Sequence, residues 1–272
     1  MRKELGTFVL LVVLCVVVAV INPRFLSGPN LQNMARLIGI YGIFSIGIGM
    51  VIITGGIDLS VGSVFALLGV LLSILLTGWH WPGALAVAAV VGVAVVLGLI
   101  HGLLVTRLRV QSFIVTLCGL LFYRGLARFI ADDETKGFGT GTGFEWLQQL
   151  AAGSLFNVPM PFILLVVVSA IMWVVLHRSV YGRYLYAVGR NEEAARYSGI
   201  NARNIIASAY ILSGALTGIA GVLIAFYTNS ISPSSHGSFY ELYGIAAAVL
   251  GGCSLRGGEG SIVGILIGTA LL

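Results

Sequence analysis

Long apolar runs constrain this chain more than any other feature of its sequence. Of its 272 residues, 58% are hydrophobic and only 9% are charged, whereas soluble domains carry roughly 25% charged residues. A helix needs about 20 apolar residues to cross a bilayer, and several runs approach that length. A membrane β-barrel would instead show alternating segments of about ten residues. The sequence therefore predicts an all-α, polytopic integral membrane protein.

Nine apparent transmembrane helices follow from the positions of these runs. We expect the first run, residues 1–23, to remain as a helix, although a secretory signal peptide has the same outline. Seven further segments are predicted near residues 34–54, 59–77, 83–106, 113–130, 161–176, 205–227 and 240–253, the last of which is short enough to be tilted or broken. A ninth begins near Ser261, and the chain ends at Leu272 before it could cross a core of roughly 30 Å. We therefore expect one transmembrane domain, residues 1–272, that is truncated at its C-terminus.

Basic residues fall in short polar loops, and their distribution predicts the orientation in the membrane. Cytoplasmic loops carry an excess of Lys and Arg, so Arg2 and Lys3 predict a cytoplasmic N-terminus. Alternation of the helices then places the basic clusters inside and the acidic cluster outside. Topology thus explains the net charge of +5, and we expect lipid rather than nucleic acid around the protein. The basic residues are Arg107, Arg109, Arg178, Arg183, Arg190, Arg196 and Arg203, and the acidic residues are Asp132, Asp133, Glu134 and Glu145.

The sequence contains no recognisable pattern of catalytic, metal-binding or nucleotide-binding residues. The three cysteines are widely spaced and the four histidines form no ligand pattern, so we expect no disulfide framework, metal or cofactor. Neither Lys3 nor Lys136 follows a glycine in a G-x-x-x-x-G-K-S/T loop, the motif that binds ATP phosphates in P-loop proteins. We therefore expect a protein that is not an enzyme and that does not bind ATP in the P-loop manner.

The polar stretch 189–204 (GRNEEAARYSGINARN) lies between two apolar segments and predicts a short helix with both ends capped. Asn191 is a good N-cap because its side chain can accept a hydrogen bond from an amide of the first turn. Glu192 and Glu193 suit the positive end of the helix dipole, and Gly199 suits the left-handed conformation that ends a helix. A helix of about seven residues is too short to be stable alone in water. It must therefore dock on the rest of the protein or on a partner.

Three further stretches combine turns with polar residues that suit a transport pathway or its gate. In TGGIDLSVGS, paired glycines end one helix, and Asp58 or Ser60 can cap the next. An ionisable residue in a membrane segment is a functional candidate, but we place Asp58 near the cytoplasmic boundary, where a structural cap is the simpler interpretation. In SPSSHGSFYELY, Glu241 and Tyr243 lie on the side opposite the basic clusters, where they could line the entrance of a pathway. In GGCSLRGGEGSIVG, Gly257-Gly258 indicates a polar tight turn, or else an internal repeat of the first stretch.

Four stretches of the chain resemble the permease subunits of bacterial ABC importers for monosaccharides such as ribose, xylose, arabinose and galactose. They are GGIDLSVGSV, VQSFIVTLCGLLFYRGLA, YAVGRNEEAARYSGINARN and YELYGIAAAVLGGCSLRGGEGSIVGILIGTALL, in this order along nearly the whole chain. The resemblance implies ten helices in a complete chain, with both termini cytoplasmic. It also implies that residues 189–204 form a cytoplasmic loop whose coupling helix fits a cleft in a separate ATPase subunit. The coupling residues would be Asn191, Glu192, Glu193, Ala194, Ala195, Arg196, Tyr197, Ser198 and Gly199, with Glu193 and Arg196 as the main contacts.

The resemblance also implies the reaction and the partners. Two identical or related permeases in the bacterial inner membrane would form the pathway. A periplasmic binding protein would deliver the sugar, and the periplasmic stretch SPSSHGSFYELY could meet it. ATP binding would switch access by moving the coupling helices. Helix centres carry few charges, which favours a neutral polar substrate. The chain departs from the family pattern at Tyr243, where Asp is usual, and at Arg190, where a second glycine is frequent.

Two alternatives from other classes remain open. One is an ion-coupled secondary transporter, a class that needs carboxylates near the middle of the membrane. Asp58 is the candidate that the sequence offers for that role. The other alternative is a truncated assembly partner that does not transport.

Overall fold

The computed structural model describes residues 2–139 and 143–272, and it is a bundle of α-helices. The helices, in chain order, are α1 (Arg2–Ile21), α2 (Gly28–Ile53), α3 (Val61–Ser73), α4 (Gly83–Thr106), α5 (Ser112–Ile130), α6 (Glu145–Ala152), α7 (Met160–Trp173), α8 (Val180–Arg190), α9 (Glu192–Tyr197), α10 (Ala202–Thr228), α11 (Tyr240–Leu250) and α12 (Ile262–Leu271). π-helical turns extend α3 through Ile74–Gly78 and α7 through Val174–Arg178, and a 3-10 turn (Pro23–Leu26) precedes α2. Two short strands, β1 (Ser154–Leu155) and β2 (Val158–Pro159), form an antiparallel hairpin.

The apolar segments predicted from the sequence are present as helices. Within the described residues, seven helices are long and apolar enough to cross a membrane, and α11 and α12 are shorter apolar helices. They correspond in order to the predicted segments, and the expectation that the eighth segment is short is confirmed by α11. The largest difference at a boundary is in α2, which begins at Gly28 rather than near residue 34. Pro29 occupies its first turn, where a missing amide hydrogen costs no helical hydrogen bond.

Two polar regions that the sequence indicated as loops contain additional regular structure. Helix α6 and the β-hairpin follow α5, and α8 fills most of the stretch between α7 and α9. In α8, Gly182, Leu185 and Val188 are buried at the three-residue spacing that lines one face of a helix. Polar residues separate them, so a search for long apolar runs does not find this helix. The hairpin is a small departure from the all-α fold that composition predicts.

The centre of the bundle is formed by α2, α3 and α10, which are mostly buried, whereas α1 lies at the periphery. Helix α10 packs closely against α4 because glycines at the contact leave no side chain between the two helices. A Cβ on Gly98 would meet the carbonyl oxygen of Tyr210, and a Cβ on Gly214 would meet the carbonyl oxygen of Ala94. Small residues allow membrane helices to approach in this way, which gives a role to some of the 37 glycines.

Clusters of charged residues lie at the two ends of the bundle. At one end, α9 and the adjoining ends of α4 and α10 surround two recesses that are rich in arginine. We call this the arginine-rich end, and its arginines include Arg107, Arg109, Arg196 and Arg203. At the opposite, acidic end, the segment with Asp132, Asp133 and Glu134 is held by a backbone bridge between Lys136 and Ile231. The predicted alternation of helices agrees with these contacts, because the basic clusters after α4 and around α9 share one end.

Helices α3 and α11 both begin inside the bundle, and their N-termini meet there. A Cβ on Gly62, in the first turn of α3, would meet the carbonyl oxygen of Gly237 and the carboxylate of Glu241. From this point α3 leads toward the acidic end, where Ser73 donates a hydrogen bond to the Gly137 carbonyl at 2.8 Å. Helix α11 leads the other way, and its 11 residues span roughly 16 Å at about 1.5 Å per residue. This head-to-head break positions polar groups deep in an apolar bundle.

Candidate functional site

The unwound segment between α2 and α3 presents the carboxylate of Asp58 to Ser60, the residue just before α3. The Asp58 Oδ1 atom accepts hydrogen bonds from the Ser60 amide at 3.0 Å and from the Ser60 hydroxyl at 2.7 Å. From α10, the Ser213 hydroxyl donates to Oδ2 at 3.3 Å. The sequence left Asp58 and Ser60 as alternative caps of α3. Ser60 occupies the N-cap position but its side chain makes no capping hydrogen bond, and the Asp58 carboxylate instead holds Ser60 in place. Its negative charge also suits the positive end of the helix dipole.

Asp58 is buried deep in the bundle and does not lie near its end. Its neighbours around a small cavity, Ala94 and Thr217, lie near the middle of α4 and in the interior of α10. The expectation that Asp58 marks the boundary at which α2 ends was wrong. Residues 55–60 run back into the bundle before α3 begins, and several backbone groups of this segment form hydrogen bonds within the protein. The Tyr210 hydroxyl, for example, donates to the Ile57 carbonyl at 3.2 Å.

The small cavity beside Asp58 has apolar walls, with polar groups contributed by Asp58, Ser60, His101 and Thr217. Its volume is about 10 Å³, which is room for about one water-sized group. Thr217 lines the cavity and is only 2% exposed, yet its Oγ1 atom has no hydrogen-bond partner among the described residues. His101 also lines it, and the Nε2 atom of His101 lies 2.8 Å from the Tyr123 hydroxyl. The cavity can therefore both donate and accept hydrogen bonds.

A second polar cluster lies at the same break and joins α5, the segment 229–239 and α11. Arg124 donates from Nη1 to the carbonyl oxygens of His236 at 2.7 Å and Pro233 at 3.3 Å. The buried carboxylate of Glu241 lies against Gly62 at the start of α3. The prediction that helix centres carry few charges did not identify Arg124 as a site residue. The signal was available, because an arginine inside the apolar run LLFYRGLA is unusual in a membrane segment and marks a functional candidate.

Three of the four predicted pathway residues come together, and Tyr243 is separate from them. Asp58, Ser60 and Glu241 surround the first turn of α3. Tyr243 is 46% exposed, and its ring stacks on Tyr41 of α2 with the ring centroids 6.2 Å apart. Its position two residues after Glu241 turns it away from the buried side of α11. Tyr243 therefore belongs to the outer surface of the bundle.

Helix α9 is capped at both ends. Asn191 accepts a hydrogen bond from the Ala194 amide at 2.9 Å, which satisfies the first turn. At the other end Gly199 has a φ of +83°, and the amides of Gly199 and Ile200 return to carbonyls of the last turn, both at 3.0 Å. This pair of bonds is a Schellman motif. The capped helix predicted from the sequence is therefore confirmed, with Glu192–Tyr197 between the caps.

Most of α9 faces outward. Ala195 is the buried residue of the helix, and Tyr197 is 85% exposed. Ala195 was predicted to be one of the coupling residues, but it packs against the bundle and holds α9 in place. Glu193 and Arg196 border a recess of about 420 Å³ beside the ends of α4 and α10. The helix thus offers charged and aromatic groups to a partner while a single small residue anchors it.

Comparison with known proteins connects these features to a family. Residues 30–272 match the family described as "branched-chain amino acid transport system / permease component". The chain belongs to this permease family. The matched region includes the break at Asp58 and the whole of α9, and with its membrane-length helices the permease is a multi-pass membrane protein.

The permease is also similar to sugar import permeases over most of its length. It is 39% identical over 271 residues to the ribose import permease protein RbsC of Bacillus subtilis, an alignment that covers 99% of this chain and 83% of that protein. It is 33% identical over 258 residues to the fructose import permease protein FrcC of Rhizobium meliloti, covering 93% and 71% of the two chains. It is 32% identical over 268 residues to the D-allose transport system permease protein AlsC of Escherichia coli, covering 98% and 81%. No solved structure matches the chain.

Near α9, a tyrosine ties α8 of the permease to the turn that precedes α12. The Tyr186 hydroxyl donates to the Gly260 carbonyl at 2.7 Å. Burial raises the pKa of Tyr186 to about 12, so the hydroxyl stays protonated and remains a donor at physiological pH. This bond fixes the turn 254–260 beside the residues that lead into α9.

Proposed function

We propose that this permease is the membrane-spanning subunit of an ATP-binding-cassette importer that moves a monosaccharide into the cytoplasm. The capped, outward-facing helix α9 carries the proposal, because it offers a separate ATPase a small, ordered surface on an otherwise apolar bundle. The names of the ribose, fructose and allose permeases to which the chain is similar support a monosaccharide as the substrate.

In this proposal the arginine-rich end faces the cytoplasm of a bacterial cell, and the chain acts as one domain in the inner membrane. The basis is the excess of basic residues in cytoplasmic loops. The loop 189–204 is then cytoplasmic. The N-terminal end of α1 is on the same side, since Thr7 donates to the Leu250 carbonyl at 2.8 Å, close to the turn that contacts α8. A periplasmic binding protein delivers the sugar at the acidic end, and a second copy of the permease or a related permease completes the pathway.

A separate ATPase supplies the energy through α9. Neither lysine of the chain lies in a P-loop motif, so an ATP site of that type belongs to the partner. ATP binding can shift the permease only if the ATPase contacts α9 differently in its two states. Glu193 and Arg196 are the proposed charged contacts because both border the recess beside α9. The surface extends over Asn191, Glu192, Ala194, Tyr197, Ser198 and Gly199, while Ala195 holds the helix on the bundle.

The break at α3 is the proposed site of contact with the sugar. Two helix N-termini meet there, and the positive ends of helix dipoles attract negative charge. Asp58 and Glu241 supply that charge from the protein itself, so a neutral substrate suits the site better than an anion does. Carboxylates accept and hydroxyls both accept and donate hydrogen bonds, which allows Asp58, Ser60 and Glu241 to exchange bonds with sugar hydroxyls. Tyr243, on the outer surface, acts at the entrance or against the second permease.

One observation favours ion-coupled secondary transport as the alternative function. Asp58 and Glu241 are both buried at the break, and secondary transporters place carboxylates near the middle of the membrane as ion ligands. The two mechanisms differ in their source of energy. Ion coupling predicts uptake that a protonophore abolishes and that needs no ATPase.

Co-purification with the ATPase encoded in the same operon tests the proposed function. We expect the ATPase to co-purify with the tagged permease from mild detergent, and to be lost from a Glu193→Arg, Arg196→Glu double variant. The reversal places repulsive charges on the contact and opposes the helix dipole. The matched control is an Arg128→Asp, Asp133→Arg swap, which reverses an exposed pair separated by 2.7 Å at the acidic end and should retain the ATPase.

The other outcomes separate the alternatives. Retention of the ATPase by the α9 reversal would show that α9 is not the contact. A permease that binds no ATPase and whose uptake is abolished by a protonophore would be an ion-coupled transporter. Normal docking without uptake of any sugar into proteoliposomes would indicate an assembly partner that does not transport.

A further inference from the structure

Three backbone segments meet at the arginine-rich end without side chains between them. They are the end of α2 at Ile53, the end of α8 at Gly189, and the turn before α12 at Gly257 and Gly258. The Gly258 amide donates a hydrogen bond to the Ile53 carbonyl oxygen at 2.8 Å. We call these four residues the glycine clasp.

The glycines of the clasp are required by the close approach of other backbone atoms. A Cβ on Gly189 would meet the Ile53 carbonyl oxygen and the Gly258 amide, and a Cβ on Gly257 would lie 2.6 Å from the Gly189 carbonyl oxygen. Gly257 and Gly258 also have φ values of +84° and +76°, in the left-handed region that favours glycine. A larger residue at any of these positions would push the three segments apart.

On one side, the clasp is joined directly to α9. Gly189 and Arg190 end α8, and the next residue, Asn191, is the cap of α9. A Cβ on Gly258 would lie 2.9 Å from the Cα atom of Arg190, so the turn also packs against this connection. A displacement of α9 therefore reaches the clasp through Arg190 and Asn191.

On the other side, the clasp is joined to the break at α3. A Cβ on Gly257 would lie 2.9 Å from the Gly55 amide nitrogen, just after the end of α2. Asp58 follows Gly55 by three residues, a stretch of chain that spans at most about 10 Å. The hydrogen bond from Tyr210 to the Ile57 carbonyl holds this stretch against α10. Asp58 therefore cannot move far unless the clasp moves with it.

We propose that the glycine clasp is a rigid link that carries a displacement of α9 to the break at Asp58. The proposal rests on the proposed function, in which an ATPase displaces α9. Close-packed protein interiors have low compressibility and transmit strain, and a contact made by backbone atoms has no rotamers through which the displacement could be absorbed. Gly189, Gly257 and Gly258 are therefore positioning residues that couple ATP hydrolysis to the pathway.

A Gly189→Ala variant tests the link in the complete complex. The permease is reconstituted with its ATPase and binding protein, and both ATP hydrolysis and sugar uptake are measured. We expect the variant to keep the ATPase bound because the outward residues of α9 are unchanged. We expect sugar uptake per ATP hydrolysed to fall about tenfold, within the range typical of coupling between sites. A purely structural role would reduce the amount of folded complex and leave that ratio unchanged.

Gly92→Ala is the matched control. Gly92 lies within α4, and no atom lies within 4 Å of a Cβ added there. We expect this variant to keep the wild-type ratio of uptake to hydrolysis.

Hydrogen exchange on the unaltered complex provides a test that does not depend on a variant. A rigid link predicts that the Gly258 amide, followed in a peptide covering residues 254–260, is equally protected with and without a non-hydrolysable ATP analogue. An exchange rate about tenfold higher in one of the two states would mean that the free energy of opening is lower there by roughly 1.4 kcal/mol. Such a rise would show that the clasp opens, and it would overturn the proposal even if Gly189→Ala does not fold.

Failure of the link and failure of the proposed function have different signatures. If the wild-type permease does not retain the ATPase, the proposed function fails and the link fails with it. If the wild-type permease couples hydrolysis to uptake, and Gly189→Ala has the same uptake per ATP as Gly92→Ala, the link alone is overturned.

Discussion

At the scale of single residues, Asp58 shows how a carboxylate is held inside an apolar bundle. It accepts hydrogen bonds from the Ser60 amide, the Ser60 hydroxyl and the Ser213 hydroxyl, and it lies at the positive end of α3. Hydrogen bonds to a charged acceptor are roughly twice as strong as neutral ones, which offsets part of the large cost of removing the charge from water. A charged residue that is retained inside a membrane protein despite this desolvation cost is a candidate for a functional role.

Replacing Asp58 separates the effect of its charge from the effect of its hydrogen bonds to Ser60 and Ser213. Asp58→Asn keeps an oxygen that can accept from the Ser60 amide but removes the charge. We expect nearly normal thermal stability and loss of most sugar uptake. Asp58→Ala leaves the buried donors of Ser60 and Ser213 unsatisfied, so it should lower the free energy of unfolding by about 1–3 kcal/mol.

Uptake into proteoliposomes and thermal unfolding in detergent measure these two effects. Ser60→Ala is the control, since it removes one hydroxyl donor and leaves the carboxylate in place. Uptake at the wild-type level by the Asp58→Asn protein would contradict a role for the charge in transport.

At the scale of elements, the helical structure of α9 is stabilised by its caps and not by a hydrophobic core of its own. Isolated helices shorter than about 12–15 residues are marginal in water. The cap at Asn191, the Schellman motif at Gly199 and the buried Ala195 together hold this one in place. Because these contacts use the backbone and one small side chain, the long side chains of α9 remain available to a partner.

Tyr197 provides the sharpest test of that availability. It is 85% exposed, so we expect Tyr197→Ala to leave thermal stability nearly unchanged. Aromatic residues that dominate an interface contribute about 2 kcal/mol or more, so the affinity for the ATPase should fall about 30-fold. The affinity is measured by titrating the ATPase onto permease in nanodiscs. Phe156→Ala is the control, because Phe156 is 92% exposed in the hairpin far from α9. Equal affinities for the two variants would contradict an ATPase contact at Tyr197.

At the scale of the whole molecule, the bundle is organised around the head-to-head break of α3 and α11. The segment 229–239 leaves α10 at the acidic end and enters the bundle to start α11 beside Gly62. Arg124 holds this segment by donating to the Pro233 and His236 carbonyls from α5. One side chain therefore joins a long helix to a segment more than a hundred positions away, as the separations of 109 and 112 residues show.

Removing Arg124 should loosen this segment. Arg124→Ala leaves two carbonyls without their donor, and we expect the free energy of unfolding to fall by about 1–3 kcal/mol. The thermal midpoint of unfolding in detergent measures this change. Sugar uptake should fall as well, because the segment that Arg124 holds leads directly into α11, which carries Glu241.

Arg128→Ala is the control one helical turn further along α5, where the side chain forms an exposed pair with Asp133 at 2.7 Å. Exposed pairs contribute little to stability, so its midpoint should hardly change. Equal midpoints for the two variants would show that Arg124 does not hold the segment.

Predictions from the sequence succeeded where the signal is local. Apolar runs predicted the membrane-length helices, and the capping residues predicted α9, because both signals depend on residues within a few positions of one another. The same approach placed Asp58 at the end of the bundle, since it assumed that a polar break in an apolar run marks a membrane boundary. It also missed α8, whose buried residues are too sparse to form an apolar run.

By itself, the sequence determined the membrane class, the order of the apolar helices and the capped helix that follows Arg190, because hydropathy and capping are local properties. Only the tertiary structure decided that Asp58 lies beside Ser213, that Glu241 faces the start of α3, and that Gly189 meets Gly258. Each of these contacts joins residues far apart in the chain, and their approach depends on how several helices pack at once.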